Sequence, residues 1–303
     1  MYLRSQGQLV ALVLVGGSTK VVPLGSYAAA EEQLRRLHAD LDTVVGPGLP
    51  PRMRAILHTA AVRDGHLLSG TLLAPLLGMV EDRKIVVVPT GALFAVPWSR
   101  LPDCAGRPVV VTPSATAWLT AHDRPAGRGG PPLLIAGPGL EHGPRELASI
   151  AALHPGARCL AGEQATPSAV IAALDGSALA HVAAHGHHEP DNPLFSAIDL
   201  YGGPLMGYDL QQLARPPRHV IMSTCELGLS SVRTGDEILG MVAALLAAGS
   251  TTVVANVSRP LDSVVPETMI PYHQLLAANV PPAQALATAA TTAPSSFVCF
   301  GFG

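Results

Sequence analysis

Apolar and polar positions follow two periods in the second half of the chain. Short apolar runs, rich in β-branched residues, are typical of buried strands, and the segments between them repeat apolar positions every three or four residues, as helices do. The runs predict strands at 84–88, 108–111, 133–136, 158–160, 179–183, 219–223, 251–257 and 297–300. The intervening segments predict helices at 144–153, 166–174, 237–247, 266–276 and 282–290. This alternation favours an α/β fold with a mostly parallel central sheet and helices on both faces.

The first part of the chain follows a different pattern. Residues 8–15 and 20–24 predict a two-stranded β-ribbon, and helices are predicted at 27–41, 52–63 and 72–80. The stretch 122–132 is rich in Pro and Gly and is the best linker candidate. We therefore divide the chain into an N-terminal half, 1–125, which contains the ribbon, the helices and the first strands, and a core, 126–303.

Charge and composition exclude several classes of function. The net charge is −3 and no run of Lys or Arg occurs, so no nucleic-acid partner is expected. The charge-free stretch 238–257 is interrupted at Gly249 and then becomes β-branched, which predicts a buried helix and a buried strand rather than a membrane span. The four cysteines lie far apart without a C-x-x-C pair, which favours free thiols and a reducing, cytoplasmic location.

Two reactive side chains directly follow predicted buried strands. His185 comes after the run at 179–183, and Cys225 comes after the run at 219–223. The carboxyl ends of parallel strands meet at one edge of a sheet, so both side chains are expected at the same edge. A thiol and a histidine from elsewhere in the chain can form a nucleophile and its acid/base. The backbone N–H groups of Gly186 and Cys225 would then stabilise a developing oxyanion.

These residues also admit other interpretations. A single cysteine is often a core residue, but Cys225 is followed by a glycine-containing polar stretch that is typical of a loop. The histidine-rich segment also suggests metal binding. Its order does not fit the His-x-His-x-Asp-His pattern of a metallohydrolase superfamily, and no second cluster of ligands follows. We therefore expect neither a metal nor another cofactor. The residues concerned are His181, His185, His187, His188, Glu189 and Asp191.

Four acidic residues are candidates for the wall of a substrate pocket. They are Asp191, Asp236, Glu237 and Asp262. Asp236 and Glu237 open the helix predicted at 237–247, where negative charge is favoured by the helix N-terminus, and this explanation is preferred. As pocket residues they would favour a basic side chain in the substrate. None of the four is distinguished from the others by its sequence context.

Several motifs, in one order along the chain, resemble the CHAT domain, which is a caspase-like domain. The central motifs are His181-Val-Ala-Ala-His185-Gly186, Asn192-Pro-Leu-Phe-Ser-Ala-Ile198, Ser223-Thr-Cys225-Glu-Leu-Gly228, Gly235-Asp-Glu237 and Ala247-Ala-Gly249. Weaker matches occur upstream at 88–98 and downstream at 260–262, 282–286 and 300–303. The resemblance therefore covers most of the chain.

The resemblance implies a caspase-haemoglobinase-like peptidase core with His185 and Cys225 at the dyad positions. On this basis we predict a cysteine endopeptidase that cleaves a peptide bond in a partner protein or in itself. Its partners would be a protein or peptide substrate and a regulatory protein, with neither nucleic acid nor membrane involved. Two alternatives stay open. One is a catalytically inactive caspase-like module that binds partners, and the other is a metallohydrolase that uses the histidine-rich segment.

Overall fold

A three-stranded antiparallel sheet opens the molecule. The computed structural model describes residues 1–46, 48–124, 129–187, 189, 192–224, 239–258, 265–293 and 295–303. The predicted ribbon is confirmed, and an additional edge strand precedes it. That strand is only four residues long, which is too short to display a period. The three strands are β1 (Tyr2–Ser5), β2 (Gln8–Val15) and β3 (Ser18–Ser26).

Two long helices follow this sheet and pack against each other. The first is α1 (Tyr27–Val44), and Ser26 caps it by accepting a hydrogen bond from the backbone N–H of Ala29. The second is α2 (Pro51–Leu72), which is followed by the one-turn helix α3 (Leu77–Val80).

The predicted break between residues 63 and 72 is wrong, because α2 continues through this region. Ala61, Leu68 and Leu72 are all buried and recur at helical spacing. Packing of this face against α1 outweighs the low helix propensity of Gly65 and Gly70, since tertiary contacts supply most of the stability of a protein helix.

The rest of the chain alternates strands and helices, and every strand and helix predicted there is present with ends that differ by a few residues. The strands are β4 (Ile85–Val87), β5 (Val109–Val111), β6 (Leu133–Ala136), β7 (Arg158–Ala161), β8 (Leu179–Ala184), β9 (Gly186–His187), β10 (Ala197–Leu200), β11 (Gly203–Met206), β12 (His219–Thr224), β13 (Thr252–Asn256) and β14 (Phe297–Gly301). The helices are α4 (Ala115–His122), α5 (Gly143–Leu153), α6 (Pro167–Leu174), α7 (Leu239–Ala248), α8 (Val265–Ala277) and α9 (Pro282–Thr292). Strands β9 to β11 and helix α4 were not predicted.

Eight of these strands form the central sheet in the order β4-β5-β14-β13-β12-β8-β6-β7. All neighbouring strands are parallel except β13 and β14, which run antiparallel, so the predicted mostly parallel sheet is confirmed. Strands β9, β10 and β11 form a small antiparallel sheet. The central sheet takes strands from both sides of residue 125, and the division of the chain at that position stays a prediction.

Helices cover the two faces of β8 and β12. Alternation along a strand sends successive side chains to opposite faces. Val182 and Met222 belong to one apolar cluster with residues of α6 and α7. Ala183 packs with residues of α5, and Ile221 packs with residues of α8 and α9. The charge-free stretch of the sequence contains α7 and β13, as predicted, and among the helices that the structure describes none has both the length and the apolar character to cross a membrane.

Candidate active site

His185 lies where the sequence analysis placed it, directly after the carboxyl end of β8, and its side chain is partly buried. Strand β12 is the parallel neighbour of β8, and the register pairs Ser223 with Ala183 and Thr224 with Ala184. His185 and Cys225 are therefore the residues that follow the last paired positions of two adjacent strands. Cys225 itself lies outside the described residues.

The four proposed pocket residues also lie outside the part of the chain that the structure describes. They are Asp191, Asp236, Glu237 and Asp262. Their roles therefore stay predictions, as does that of the backbone N–H of Cys225.

A glycine-containing loop between β6 and α5 packs beside His185. The N–H of Gly137 donates to the carbonyl oxygen of Ala183 at 2.7 Å. A Cβ on Gly137 would come within 2.5 Å of the Asp199 carbonyl oxygen, and a Cβ on Gly139 would come within 3.3 Å of His185 Nε2. Gly139 also has a φ of +79°, which L residues rarely adopt. The absence of a side chain at Gly139 leaves space for the imidazole of His185, and its absence at Gly137 allows the close approach of the Asp199 backbone.

Gly186 begins β9 and is paired with Ile198 of β10. The N–H of Asp199 donates to the carbonyl oxygen of His185 at 2.8 Å. This bond and the antiparallel register make Gly186 and Ile198 a non-hydrogen-bonded pair, in which the backbone groups point away from the partner strand. The N–H of Gly186 is thus directed away from β10. This orientation is compatible with a role as an oxyanion donor.

The described members of the histidine-rich segment are separated by the fold. His187 is exposed, and its Nε2 lies 2.8 Å from Asp199 Oδ2. His181 is completely buried, as predicted from its position on the strand. Among the described residues, no three His, Cys, Asp or Glu side chains are arranged to hold a metal ion. His188 and Asp191 lie outside those residues.

The three cysteines that the structure describes are free thiols in different environments. Cys104 and Cys299 are buried, and burial raises the pKa of each thiol to about 12, so both stay protonated at neutral pH. Cys159 is exposed on β7. Its exposure makes it a useful control thiol.

A buried polar network, which the sequence analysis missed, lies on the α5 and α8 face of β8 and β12. Glu146 Oε1 accepts a hydrogen bond from the Ser223 hydroxyl at 3.0 Å, and His181 Nε2 lies 3.2 Å from the same oxygen. On the other side, His181 Nδ1 lies 3.1 Å from His273 Nε2, and His273 Nδ1 lies 2.9 Å from His154 Nε2. The first four of these residues are nearly inaccessible to solvent, whereas His154 is only partly buried.

Burial keeps most of these imidazoles neutral. It lowers the pKa of His273 far below the ordinary value, and the neighbouring His181, His154 and His219 lower it further. Burial also lowers the pKa of His154 and brings that of His219 to about 3, with His181 as a second cause in both. His219 is in turn hydrogen-bonded to the Tyr272 hydroxyl at 2.9 Å.

The sequence contained weak signals of this network. Glu146 stands in the first turn of α5, where helix N-terminal stabilisation is a sufficient explanation. His273 stands within an apolar helical pattern, and a histidine there is unremarkable by itself. Only the folded structure shows that Glu146 and His273 approach His181 from two different helices.

Comparisons with known proteins identify the fold and the family of the chain. Among solved structures, the chain is similar to a chain of the Saccharomyces cerevisiae separase–securin complex, with a TM-score of 0.54, 11% identity, and coverage of 91% of this chain and 22% of that chain. A second structure of the complex gives a TM-score of 0.52 and 12% identity, and covers 90% of this chain and 22% of that chain. This likeness confirms the predicted caspase-like α/β fold, and the chain spans about 22% of the length of the chains it matches. No curated protein matches it.

The family is established by a comparison of sequence. The family model described as the CHAT domain matches residues 62–296. This range includes β8, β12 and the positions of His185 and Cys225. The chain belongs to the CHAT domain family.

Proposed function

We propose that this CHAT-domain protein is a cysteine endopeptidase in which Cys225 is the nucleophile and His185 is the acid/base. The observation that carries the proposal is the register of β8 and β12. Because Ala184 and Thr224 are paired neighbours, the residues that follow them in the sequence, His185 and Cys225, are expected at the same edge of the sheet. That edge is where parallel sheets bring catalytic side chains together.

The reaction would proceed in two steps, acylation of Cys225 and hydrolysis of the acyl-enzyme. Cys225 transfers its proton to His185, and the thiolate sulfur attacks the peptide carbonyl carbon. The C–N bond then breaks, and the amine leaves with the proton from His185. In the second step water attacks the thioester, His185 removes a proton from the water, and the acid product is released as Cys225 regains its proton.

Backbone groups would stabilise the negative oxygen of each tetrahedral intermediate. The N–H of Gly186, which is directed away from β10, is one donor, and the N–H of Cys225 is the other. Loss of one such donor costs roughly 2.7–4 kcal/mol in other enzymes. The acidic residues Asp191, Asp236, Glu237 and Asp262 would favour substrates with a basic residue near the scissile bond.

The decisive experiment compares four proteins on a proteome substrate: wild type, Cys225→Ala, His185→Ala and Cys159→Ala. New protein N-termini are enriched after incubation and identified by mass spectrometry. Wild type and Cys159→Ala should generate the same cleavage sites. Both dyad variants should lose them, because removal of either member abolishes the nucleophile or its activation.

Three results would count against the proposal. Equal cleavage by wild type and Cys225→Ala would exclude Cys225 as the nucleophile. A wild-type protein that generates no new N-termini, also after addition of candidate partner proteins, would favour an inactive caspase-like module. Cleavage that disappears on treatment with a metal chelator, but persists in Cys225→Ala, would favour a metallohydrolase.

A further inference from the structure

The buried network behind the candidate dyad forms a continuous chain from the surface to β12. It begins at His154, which follows the C-terminus of α5, and passes through His273 of α8 to His181 of β8. It ends at Glu146, which also accepts the hydrogen bond from Ser223. His273 is hydrogen-bonded at both ring nitrogens, His181 is hydrogen-bonded at Nδ1, and His154 is hydrogen-bonded at Nε2. We call these four titratable residues the histidine chain.

The hydrogen bonds of the histidine chain restrict where the protons can be. If Glu146 is ionised and all three imidazoles are neutral, each imidazole must carry its proton on Nε2. His154 then donates to His273 and His273 donates to His181. The Nε2–H of His181 faces the Glu146 carboxylate, which the Ser223 hydroxyl also approaches. The other buried ring nitrogens are then hydrogen-bonded, and His181 Nε2 lies 3.2 Å from the Glu146 carboxylate without hydrogen-bond geometry.

A second arrangement contains one additional proton and is equally complete. The proton binds at Nδ1 of His154, and each Nε2 proton moves to the next residue along the chain. All three imidazoles then carry a proton on Nδ1, so the hydrogen bonds run in the opposite direction. The additional proton rests in the contact between His181 Nε2 and Glu146 Oε1 and compensates the carboxylate charge. Neither arrangement places a positive charge on His273.

The surroundings support entry of the proton at one end only. His181, His273, Glu146 and Ser223 are buried, so His154 is the member that reaches solvent. Among the described residues, the other titratable groups near the histidine chain are His219 and Tyr272, which are hydrogen-bonded to each other, and Cys299 beside Tyr272. Burial holds all three neutral at pH 7, because it lowers the pKa of His219 and raises the pKa of Tyr272 and Cys299.

We propose that the histidine chain is a proton relay that transfers a proton between the surface at His154 and the Glu146–His181 contact. Transfer between His181 Nε2 and Glu146 Oε1 is the least favourable step. These two atoms are 3.2 Å apart without hydrogen-bond geometry, so the two side chains must align before the proton can be transferred. Proton uptake would weaken the Ser223 hydrogen bond, since a charge-compensated carboxylate is a poorer acceptor than an isolated one. Ser223 stands two residues before Cys225, so the relay would make activity depend on pH. This last step rests on the proposed peptidase function.

The test of the relay uses nuclear magnetic resonance on Cys225→Ala protein, so that it does not require activity. Two-bond ¹H–¹⁵N spectra of labelled histidines identify which ring nitrogen carries the proton, and the ¹³C shift of the Glu146 carboxyl reports its charge. On acidification, His181 and His273 should gain a proton on Nδ1 at one shared midpoint, and the Glu146 signal should change at the same pH. His273 should lose its Nε2 proton in that transition and stay neutral.

Substitution of the surface residue provides the matched comparison. Gln at position 154 can donate to His273 but cannot take up a proton, so His154→Gln should abolish the transition of His273. The exposed His58 on α2 is remote in sequence from the four residues of the histidine chain. His58→Gln should therefore leave the midpoint of the His273 transition unchanged. Circular dichroism at each pH confirms that the fold persists.

Several outcomes would overturn the relay. They are a fixed tautomer of His273 throughout the pH range in which the protein is folded, a positively charged His273, or an unchanged transition in His154→Gln. The wild-type ring signals decide the question if that variant does not fold. If peptidase activity does not change at the pH at which the tautomers change, only the proposed effect of the relay on activity is refuted. Absence of any peptidase activity would refute the proposed function and leave the nuclear magnetic resonance result intact.

Discussion

The two faces of β8 and β12 are both buried but differ in chemistry. On one face, Val182 and Met222 pack with apolar residues of α6 and α7. On the opposite face, His181 and Ser223 contact Glu146 and His273, which come from α5 and α8. The same two strands therefore have an apolar face and a face on which a polar network lies beside the apolar Ala183 and Ile221, which we call the polar face.

The two faces stabilise the fold in different ways. The apolar face is stabilised by removal of hydrocarbon surface from water, at about 25 cal/mol per Å², and this contribution does not depend on protonation. The polar face is stable only while each buried polar atom has a suitable partner, because an unpaired buried group costs about 1–3 kcal/mol. We therefore expect the polar face to respond to pH and the apolar face to be insensitive to it.

The largest expected effect is loss of stability in acid, which originates on the polar face. Native His219 has a pKa of about 3, whereas an unfolded histidine titrates near 6.5. Between these values the unfolded chain binds more protons, so the free energy of unfolding falls as pH decreases from about 6.5. At 1.36 kcal/mol per pKa unit, protonation of His219 alone should lower the free energy of unfolding by on the order of 4 kcal/mol at pH 3. Guanidinium denaturation at several pH values measures this slope.

A substituted histidine tests the origin of that slope. Replacement of His219 with Asn keeps a polar partner near the Tyr272 hydroxyl but removes the titrating group. The dependence of stability on pH should become shallower. A wild-type free energy of unfolding that is constant from pH 7 to pH 4 would contradict the neutral, buried state of His219.

The next largest effect is expected on the apolar face. Leu245 of α7 is 1% exposed and lines a cavity of only about 10 Å³ with Val220 and Met222. Leu245→Ala should therefore reduce the free energy of unfolding by about 2–5 kcal/mol, the usual cost of a large-to-small change in a packed core. The loss should be the same at pH 7 and pH 5. A loss that varies with pH would show that the two faces are coupled.

The smallest of these effects is expected from Ser223→Ala on the polar face. The change removes one hydrogen bond to the Glu146 carboxylate while it preserves the strand. Hydrogen bonds to charged groups contribute about 1.5–3 kcal/mol, so stability at pH 7 should fall by that amount. The difference from wild type should decrease in acid as the carboxylate charge is compensated. A constant difference would indicate that Ser223 contributes through packing alone.

Sequence periodicity predicted most of the fold because the central strands are buried on both sides. Runs such as 133–136 contain only apolar residues, and the segments between runs have helical spacing. Periodicity did not predict the secondary structure where contacts between distant segments determine it. Helix α2 continues past Gly65 and Gly70 because its buried face packs on α1. The reversed direction of β14 and the small sheet of β9 to β11 also depend on pairing between distant segments.

Part of the candidate site could also be predicted from the sequence, and part could not. The sequence places His185 and Cys225 directly after predicted buried strands, and it identifies the family from motifs that are ordered along the chain. The folded structure was needed to show that β8 and β12 are neighbours and that Glu146 and His273 both contact His181. The two contacts at His181 join residues 35 and 92 positions apart (181 − 146 and 273 − 181), and a local pattern cannot encode the packing of α5 and α8 against one face of the sheet.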